Sequence, residues 1–323
     1  NICEVTMIQS SYETKKEHIA NKIIHLKKQK DVTILAHNYQ IPEIQDISDY
    51  VGDSLGLAKE ASKIDSKKII FCGVKFMAET TSILCPEKEV LIPDLDAGCS
   101  LAATINVEQL RNWKKNNPGA VVVAYINTTA EVKAESDYCC TSANAVKIIE
   151  AIPKNKEILF LPDLFLGAYL EEKTGRRLHI WPGECHVHSK ISPDLIENLK
   201  IEKPNAELLI HPECGCMTNL LYLKTKNKTQ SFKGEILSTD GMIKHVKKSK
   251  SEQFIVGTET GMLYQLKKHN PDKKFYPVEE EAVCEYMKMI DLDKVYNSLT
   301  NNVYSVKVPK NIEIKAKKAI YSM

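Results

Sequence analysis

Three common catalytic signatures are missing from this chain of 323 residues: it has no GxGxxG, no P-loop and no HExxH. Rossmann-type dinucleotide binding, nucleotide hydrolysis and zincin proteolysis therefore lack their local support. No run of 18 apolar residues occurs, so a helical membrane span is not expected. The opening NICEVTMIQSSYETKKEH has no apolar core of the signal-peptide type, which favours a cytoplasmic protein. No charge excess is present either: 44 Lys and Arg face 42 Asp and Glu, for a net +2. Scattered charge of this kind argues for no nucleic acid and no membrane partner. The lysines near the C-terminus (Lys307, Lys310, Lys315, Lys317, Lys318) read as a solvated helix face. With 43% hydrophobic and 27% charged residues, the remaining composition is that of an ordinary globular protein.

Cysteine is the exception, with ten residues. Without an export signal, metal binding or catalysis explains them better than a disulfide framework. Three close similar stretches: Cys99 ends EVLIPDLDAGC, Cys185 ends RLHIWPGEC and Cys284 ends KFYPVEEEAVC. Each follows a short apolar run that reads as a strand with turn residues behind it. A hydroxyl at an expected helix start precedes them by 45, 43 and 45 residues: Ser54, Ser142 and Thr239. The chain thus reads as three variants of one unit, each offering one thiolate. Three sulfurs from distant positions differ from the paired CxxC of structural zinc sites. They differ too from the four-cysteine clusters of electron carriers. They suit an iron–sulfur cluster with one iron free of protein ligands, able to act as a Lewis acid. Cys3 and Cys72 read as small buried hydrophobes. Cys85, Cys139 and Cys140 are ambiguous, and the CxC of Cys214 and Cys216 admits a metal or a disulfide.

A chain of this length calls for two or three packed units. Residues 13–30 carry Ile19, Ile23, Ile24 and Leu26 at helical spacing. VTILAHNYQ, KKIIFCG and EVLIPD then read as strands, separated by helices after Ser54 and at VKFMAETTSIL. The order recurs with AVVVAYINTTAE, EILFLPD and RLHIWPGEC as strands, and again with AELLIHPECG, QFIVG and KFYP. Such alternation predicts an α/β fold of three similar three-layer αβα units with short parallel sheets. Residues 1–104 with 285–323 are expected to form the first unit, 105–190 the second and 191–284 the third. The tail beyond 285 is expected to be helical and to pack back onto the body.

Ligands in such sheets sit at the carboxyl edge of the strands. The first strand of each unit ends in polar residues: His37, Asn38 and Tyr39, then Tyr125 and Asn127, then His211 and Glu213. The hydroxyls of VGDSLGLA, CCTSANAV and LSTDGMIK fall where helices are expected to begin. They read either as helix caps or as anion sites for phosphate or carboxylate. A cluster- or zinc-binding sensor would account for the cysteines but not for these polar groups. An aconitase-like hydro-lyase would account for both.

Eleven segments carry a more specific signal: LAHNYQ (35–40), VGDSL (51–55), GVKFMAET (73–80), AGCSLA (97–102), AYINT (124–128), CTSANA (140–145), WPGECHVH (181–188), HPEC (211–214), STDGM (238–242), GTETGML (257–263) and AVCEYMK (282–288). By these the sequence resembles the quinolinate synthase family along nearly its whole length. The resemblance implies an enzyme of NAD biosynthesis that condenses iminoaspartate with dihydroxyacetone phosphate to quinolinate, releasing phosphate and water. It implies L-aspartate oxidase or aspartate dehydrogenase as the supplier of iminoaspartate. It implies a 4Fe–4S cluster on Cys99, Cys185 and Cys284, at the centre of three α/β units around a pseudo-threefold axis. Glu213, Tyr39 and His211 match the catalytic positions, with Glu213 as general base. His37, Asp53, Ser54, Tyr125, Asn127, Ser142, His188, Ser238 and Thr239 match substrate-binding positions. Where some members carry CxxCxxC, Cys284 stands alone, and Cys216 lies outside the motif.

Overall fold

The architecture comes from a computed structural model, which describes residues 2–216 and 234–323, leaving aside the side chains of residues 2–12 and with them that of Cys3. Strand-forming apolar runs alternate with helices throughout, and the strands assemble into three sheets of four. The first contains β1 (Val32–His37), β2 (Tyr50–Gly52), β3 (Lys68–Cys72) and β4 (Glu89–Leu91). The second contains β5 (Val121–Tyr125), β6 (Tyr138–Cys140), β7 (Ile158–Leu161) and β8 (His179–Ile180). The third contains β9 (Glu207–Ile210), β10 (Gly234–Ile236), β11 (Gln253–Gly257) and β12 (Lys274–Pro277). All named pairs are parallel.

The strand order is the same each time: β2-β1-β3-β4, β6-β5-β7-β8 and β10-β9-β11-β12. The first strand of each set is therefore interior, and the chain leaves it first to one side and then to the other. Parallel sheets open a crevice at the carboxyl ends of their strands where this reversal occurs. β1 ends at His37, β5 at Tyr125, and β9 is followed directly by His211. The interior strands are almost wholly buried, with Ile34, Leu35, Val122, Val123, Leu208 and Leu209 at most 1% exposed. Covering both faces with helices accounts for these near-continuous apolar runs.

One strand per sheet escaped the sequence reading. β2, β6 and β10 are three residues long, lie at sheet edges and sit among polar or turn residues, whereas the edge strands β4 and β8, no longer than these, are marked by longer apolar runs. The first helix also runs further than residues 13–30, covering Ile2–Gln29. A helix at Val107–Asn116, opened by an Asn106–Gln109 capping box, and a short one at Ala130–Ala134 were missed as well. The tail is helical over Leu292–Asn301 and Lys310–Tyr321. The former packs on the first helix, and the latter on Ala130–Ala134 and Lys75–Leu84. Within Lys310–Tyr321, Ala316, Ala319 and Ile320 are buried while Lys310, Lys315 and Lys318 face solvent. Among the described residues, no helix is long and apolar enough to cross a membrane.

The helix starts need one correction. Ser142 does not open a helix: it sits in a turn, and the helix Ala145–Ala151 is flanked by Asn144. Ser54 is the first helical residue of Ser54–Lys63, which Asp53 caps by accepting the Gly56 N–H at 2.7 Å. Of Ser54, Ser142 and Ser238, Ser238 alone acts as a cap, its Oγ accepting the Gly241 N–H at 3.2 Å. Cys72, Cys85, Cys139 and Cys140 are buried free thiols, and Cys214 and Cys216 are joined by a disulfide, which resolves the CxC alternatives.

Candidate active site

A cavity of about 730 Å³ is lined from all three sheets. Every one of the fifteen residues singled out in the sequence faces it: the three cysteines, the three catalytic candidates and the nine substrate-binding candidates. Chain connectivity explains why. The central strand of each sheet delivers its terminal residues there, and the segments after β4, β8 and β12 deliver Cys99, Cys185 and Cys284.

Gly183 sets the course of the second cysteine segment. A Cβ there would lie 2.4 Å from Pro162 O and 2.4 Å from Thr104 Oγ1, so no other residue fits without displacement. The Gly183 N–H donates to Pro162 O at 3.0 Å, and its carbonyl accepts the Leu164 N–H at 2.7 Å. The third cysteine is held by its backbone. Cys284 N–H donates to Glu259 Oε1 at 3.1 Å, and the fully buried Glu259 pairs with Lys288 at 2.9 Å.

Glu213 is the hub of the buried polar network. Its Oε1 accepts from the Tyr125 hydroxyl and from Asn127 Nδ2 at 3.4 Å. Its Oε2 lies 3.3 Å from His188 Nδ1, which is also 3.3 Å from Cys185 Sγ. His188 Nε2 shares a 2.9 Å hydrogen bond with Thr258 Oγ1, and Thr258 shares another of 2.6 Å with the Tyr39 hydroxyl. His211 stacks at 5.1 Å from the His188 ring. A continuous chain thus runs from a thiol through imidazole to carboxylate and phenol.

Burial dominates the electrostatics of this chain. It pushes the Glu213 carboxyl up to about 7, against the opposing hydrogen bond from Tyr125. It pulls His37 and His188 down to about 3, and His211 well below its ordinary value. These three imidazoles are therefore neutral. Tyr39 and Tyr125 are raised well above the ordinary phenol value, first by burial and then by Glu213, so both keep their protons. Burial also raises Cys99 to about 12 and Cys284 to about 11, and Cys185 well above the usual thiol range. Metal uptake here must release thiol protons.

One donor set could hold a metal ion: Cys185, His188 and Glu213 offer ligand atoms that all lie within 4.8 Å of one another. The three cysteines line the same cavity as free, half-buried thiols, and Cys99 feels the charges of both Cys185 and Cys284. Thiolate sulfur is the usual protein donor to iron–sulfur clusters.

Three contributors went unremarked in the sequence. Thr258 and Glu259 follow β11, and Asp163 follows β7 at the same carboxyl edge. Asp163 is fully buried, caps the next helix through the Leu166 N–H at 2.6 Å, and has its carboxyl pushed well up by burial and by Glu213. Polar residues just past the third strand of the second and third sheets were the available signal.

The fold and cavity define an α/β enzyme with three parallel sheets and a cysteine-lined polar centre able to hold a metal. The model of the quinolinate synthetase A protein family matches residues 21–323, and the chain belongs to that family. It is 50% identical over 307 residues to a quinolinate synthase of Thermus thermophilus, covering 95% of this chain and 97% of the relative. To a quinolinate synthase of Pyrobaculum aerophilum it is 51% identical over 306 residues, 94% of this chain and 98% of the relative. One of Dehalococcoides mccartyi is 48% identical over 308 residues, 95% of this chain and 98% of the relative.

Proposed function

We infer that the enzyme makes quinolinate from iminoaspartate and dihydroxyacetone phosphate, releasing phosphate and water, as a cytoplasmic step of NAD biosynthesis. L-aspartate oxidase or aspartate dehydrogenase would supply the imine. Three α/β units, divided near residues 104 and 190 and set about a pseudo-threefold axis, would enclose the reaction. The observation that carries the reading is one cavity holding three free thiols, a carboxyl pushed up to about 7 and three neutral histidines.

Cys99, Cys185 and Cys284 would hold a 4Fe–4S cluster, whose open iron supplies Lewis acidity toward a substrate hydroxyl or carboxylate. The chain's own groups do the rest. Glu213, with a proton affinity near neutrality, removes a proton during enamine formation and ring closure. Tyr125 and Asn127 hold its carboxylate in place. Tyr39, tied to His188 through Thr258, passes a proton to a leaving oxygen, and His211 serves the neighbouring face. Ser54 and Ser142 hold phosphate and later carboxylate, while Asn127 orients the other acid group. His37, Asp53, Ser238 and Thr239 complete the substrate wall.

Quinolinate formation from the two substrates, assayed anaerobically with reconstituted protein, tests the reading, and no product from protein loaded with iron and sulfide sinks it. A single ion on Cys185, His188 and Glu213 is the rival, favoured by their 4.8 Å clustering and by a mixed ligand set that suits zinc. Acid-labile sulfide separates the two: the cluster carries it and a lone ion does not.

A further inference from the structure

The residue immediately after each cysteine of the triad belongs to a second network, apart from the Glu213 hub. Ser100 follows Cys99, His186 follows Cys185 and Glu285 follows Cys284. Ser100 Oγ and His186 Nδ1 share a 2.6 Å hydrogen bond across 86 residues of sequence. On its other side, His186 Nε2 lies 3.5 Å from Glu285 Oε2, and that nitrogen is buried without a hydrogen bond among the described residues. The Tyr286 ring meets the His186 ring edge-on at 5.9 Å and stands beside Gly98, where a Cβ would touch it at 3.8 Å. One imidazole therefore joins all three cysteine segments. Trp181 adds a further tie, donating from Nε1 to Thr104 O at 3.1 Å.

We propose that Ser100, His186 and Glu285 form a clasp that holds the three cysteine segments closed around the metal centre and slows loss of its iron. The proposal rests on the cluster reading above. The open iron has no thiolate to hold it, but losing any of the three thiolate-held irons requires a thiolate to swing away, and each thiolate is one residue from a clasp member. A cross-link between the segments at that point, on the border of the cavity, restrains the opening motion. Groups that orient metal ligands in this way change metal retention by about 10–100-fold when removed. These three are positioning residues: Glu285 is exposed, and Ser100 and His186 are only half-buried.

The test uses full-length protein reconstituted anaerobically with iron and sulfide, then challenged with a ferrous chelator. For His186→Ala and Ser100→Ala, the three thiolate-held irons should leave about 10-fold faster than from wild type. The reduced-cluster EPR spectrum should broaden, and the melting temperature of the metal-free protein should stay unchanged. His186→Asn, whose amide can replace Nδ1 toward Ser100, should recover part of the retention. Glu285→Gln should show a smaller acceleration. Should His186→Ala not fold, Ser100→Ala and Glu285→Gln carry the test. Release rates equal to wild type in the folded variants overturn the clasp alone. A wild-type protein that takes up no iron and sulfide overturns both the clasp and the cluster reading.

Discussion

His186 and His188 stand two residues apart on one segment, yet they occupy opposite environments. His188 is 2% exposed, hydrogen-bonded to Thr258 and set against Cys185 and Glu213, and burial pulls it down to about 3. His186 is half-exposed and spans Ser100 and Glu285. The same backbone turn aims one imidazole at Glu213 and the other at Ser100 and Glu285, with both rings bordering the cavity. A neutral, buried imidazole linked to phenol and carboxylate is equipped for proton movement. A half-exposed one that bridges three chain segments is equipped for holding them. Position relative to Cys185, rather than residue type, separates the two roles.

Removing the thiols would break both faces at once and should have the largest effect. Cys99→Ser, Cys185→Ser or Cys284→Ser should each abolish turnover and most bound iron, measured by iron and sulfide analysis. Cys72→Ser, in a buried strand position, should leave iron in place. Equal iron in the triad variants would remove the metal from that site.

The inner face alone is probed by Glu213→Gln. The amide keeps size and the contact with Tyr125 but accepts no proton, so turnover should fall by about 100-fold or more. Iron content should stay at the wild-type level. Turnover near wild type with iron retained would move the base to Tyr39 or His211.

Ser142 and Ser238 sharpen the contrast between binding and structural polar groups. Ser142 caps no helix, so Ser142→Ala should weaken dihydroxyacetone phosphate binding by about 1–2 kcal/mol, the worth of a hydrogen bond to a charged group. Its melting temperature should not move. Ser238 does cap a helix, so Ser238→Ala should cost about 1 kcal/mol of folding stability by denaturant titration. An unchanged substrate affinity in Ser142→Ala would leave it without a function in binding.

The smallest expected effect concerns pH. Burial, then the neighbouring Asp240, raises the Asp53 carboxyl to about 6. Below an ordinary carboxylate value of about 4, Asp53 is protonated folded or unfolded. Between about 4 and 6 the folded protein alone keeps the proton, so this group's contribution to stability falls as pH rises through that window. Asp240→Asn should flatten part of the fall between about pH 4 and pH 6 in metal-free protein, read from denaturation midpoints. An identical slope would show that Asp240 does not repel Asp53.

Much of this was legible in linear order. The recurrence of cysteine 45, 43 and 45 residues after a hydroxyl marked the three units, because parallel α/β units impose similar lengths on strand, helix and return. The polar ends of β1, β5 and β9 could be named because a parallel sheet sends its carboxyl edge toward ligand. β2, β6 and β10 were hidden because they sit among polar and turn residues, while β4 and β8, no longer than these, were marked by the apolar runs around them. Ser142 was misplaced by a few residues because its local pattern, Ser before a small apolar run, is the same as that of a true cap.

Sequence alone determined the elements and the inventory of reactive groups, since strand and helix periodicity and turn chemistry act over a few residues. Tertiary structure alone decided which of those groups meet. Nothing in CHVH announces that His188 faces Glu213 while His186 reaches Ser100 and Glu285. Those contacts join residues from 25 to 99 positions apart, and they exist because three sheets point their carboxyl edges into one cavity. The shifted proton affinities have the same origin: desolvation is a property of the assembled interior and not of any residue in the chain.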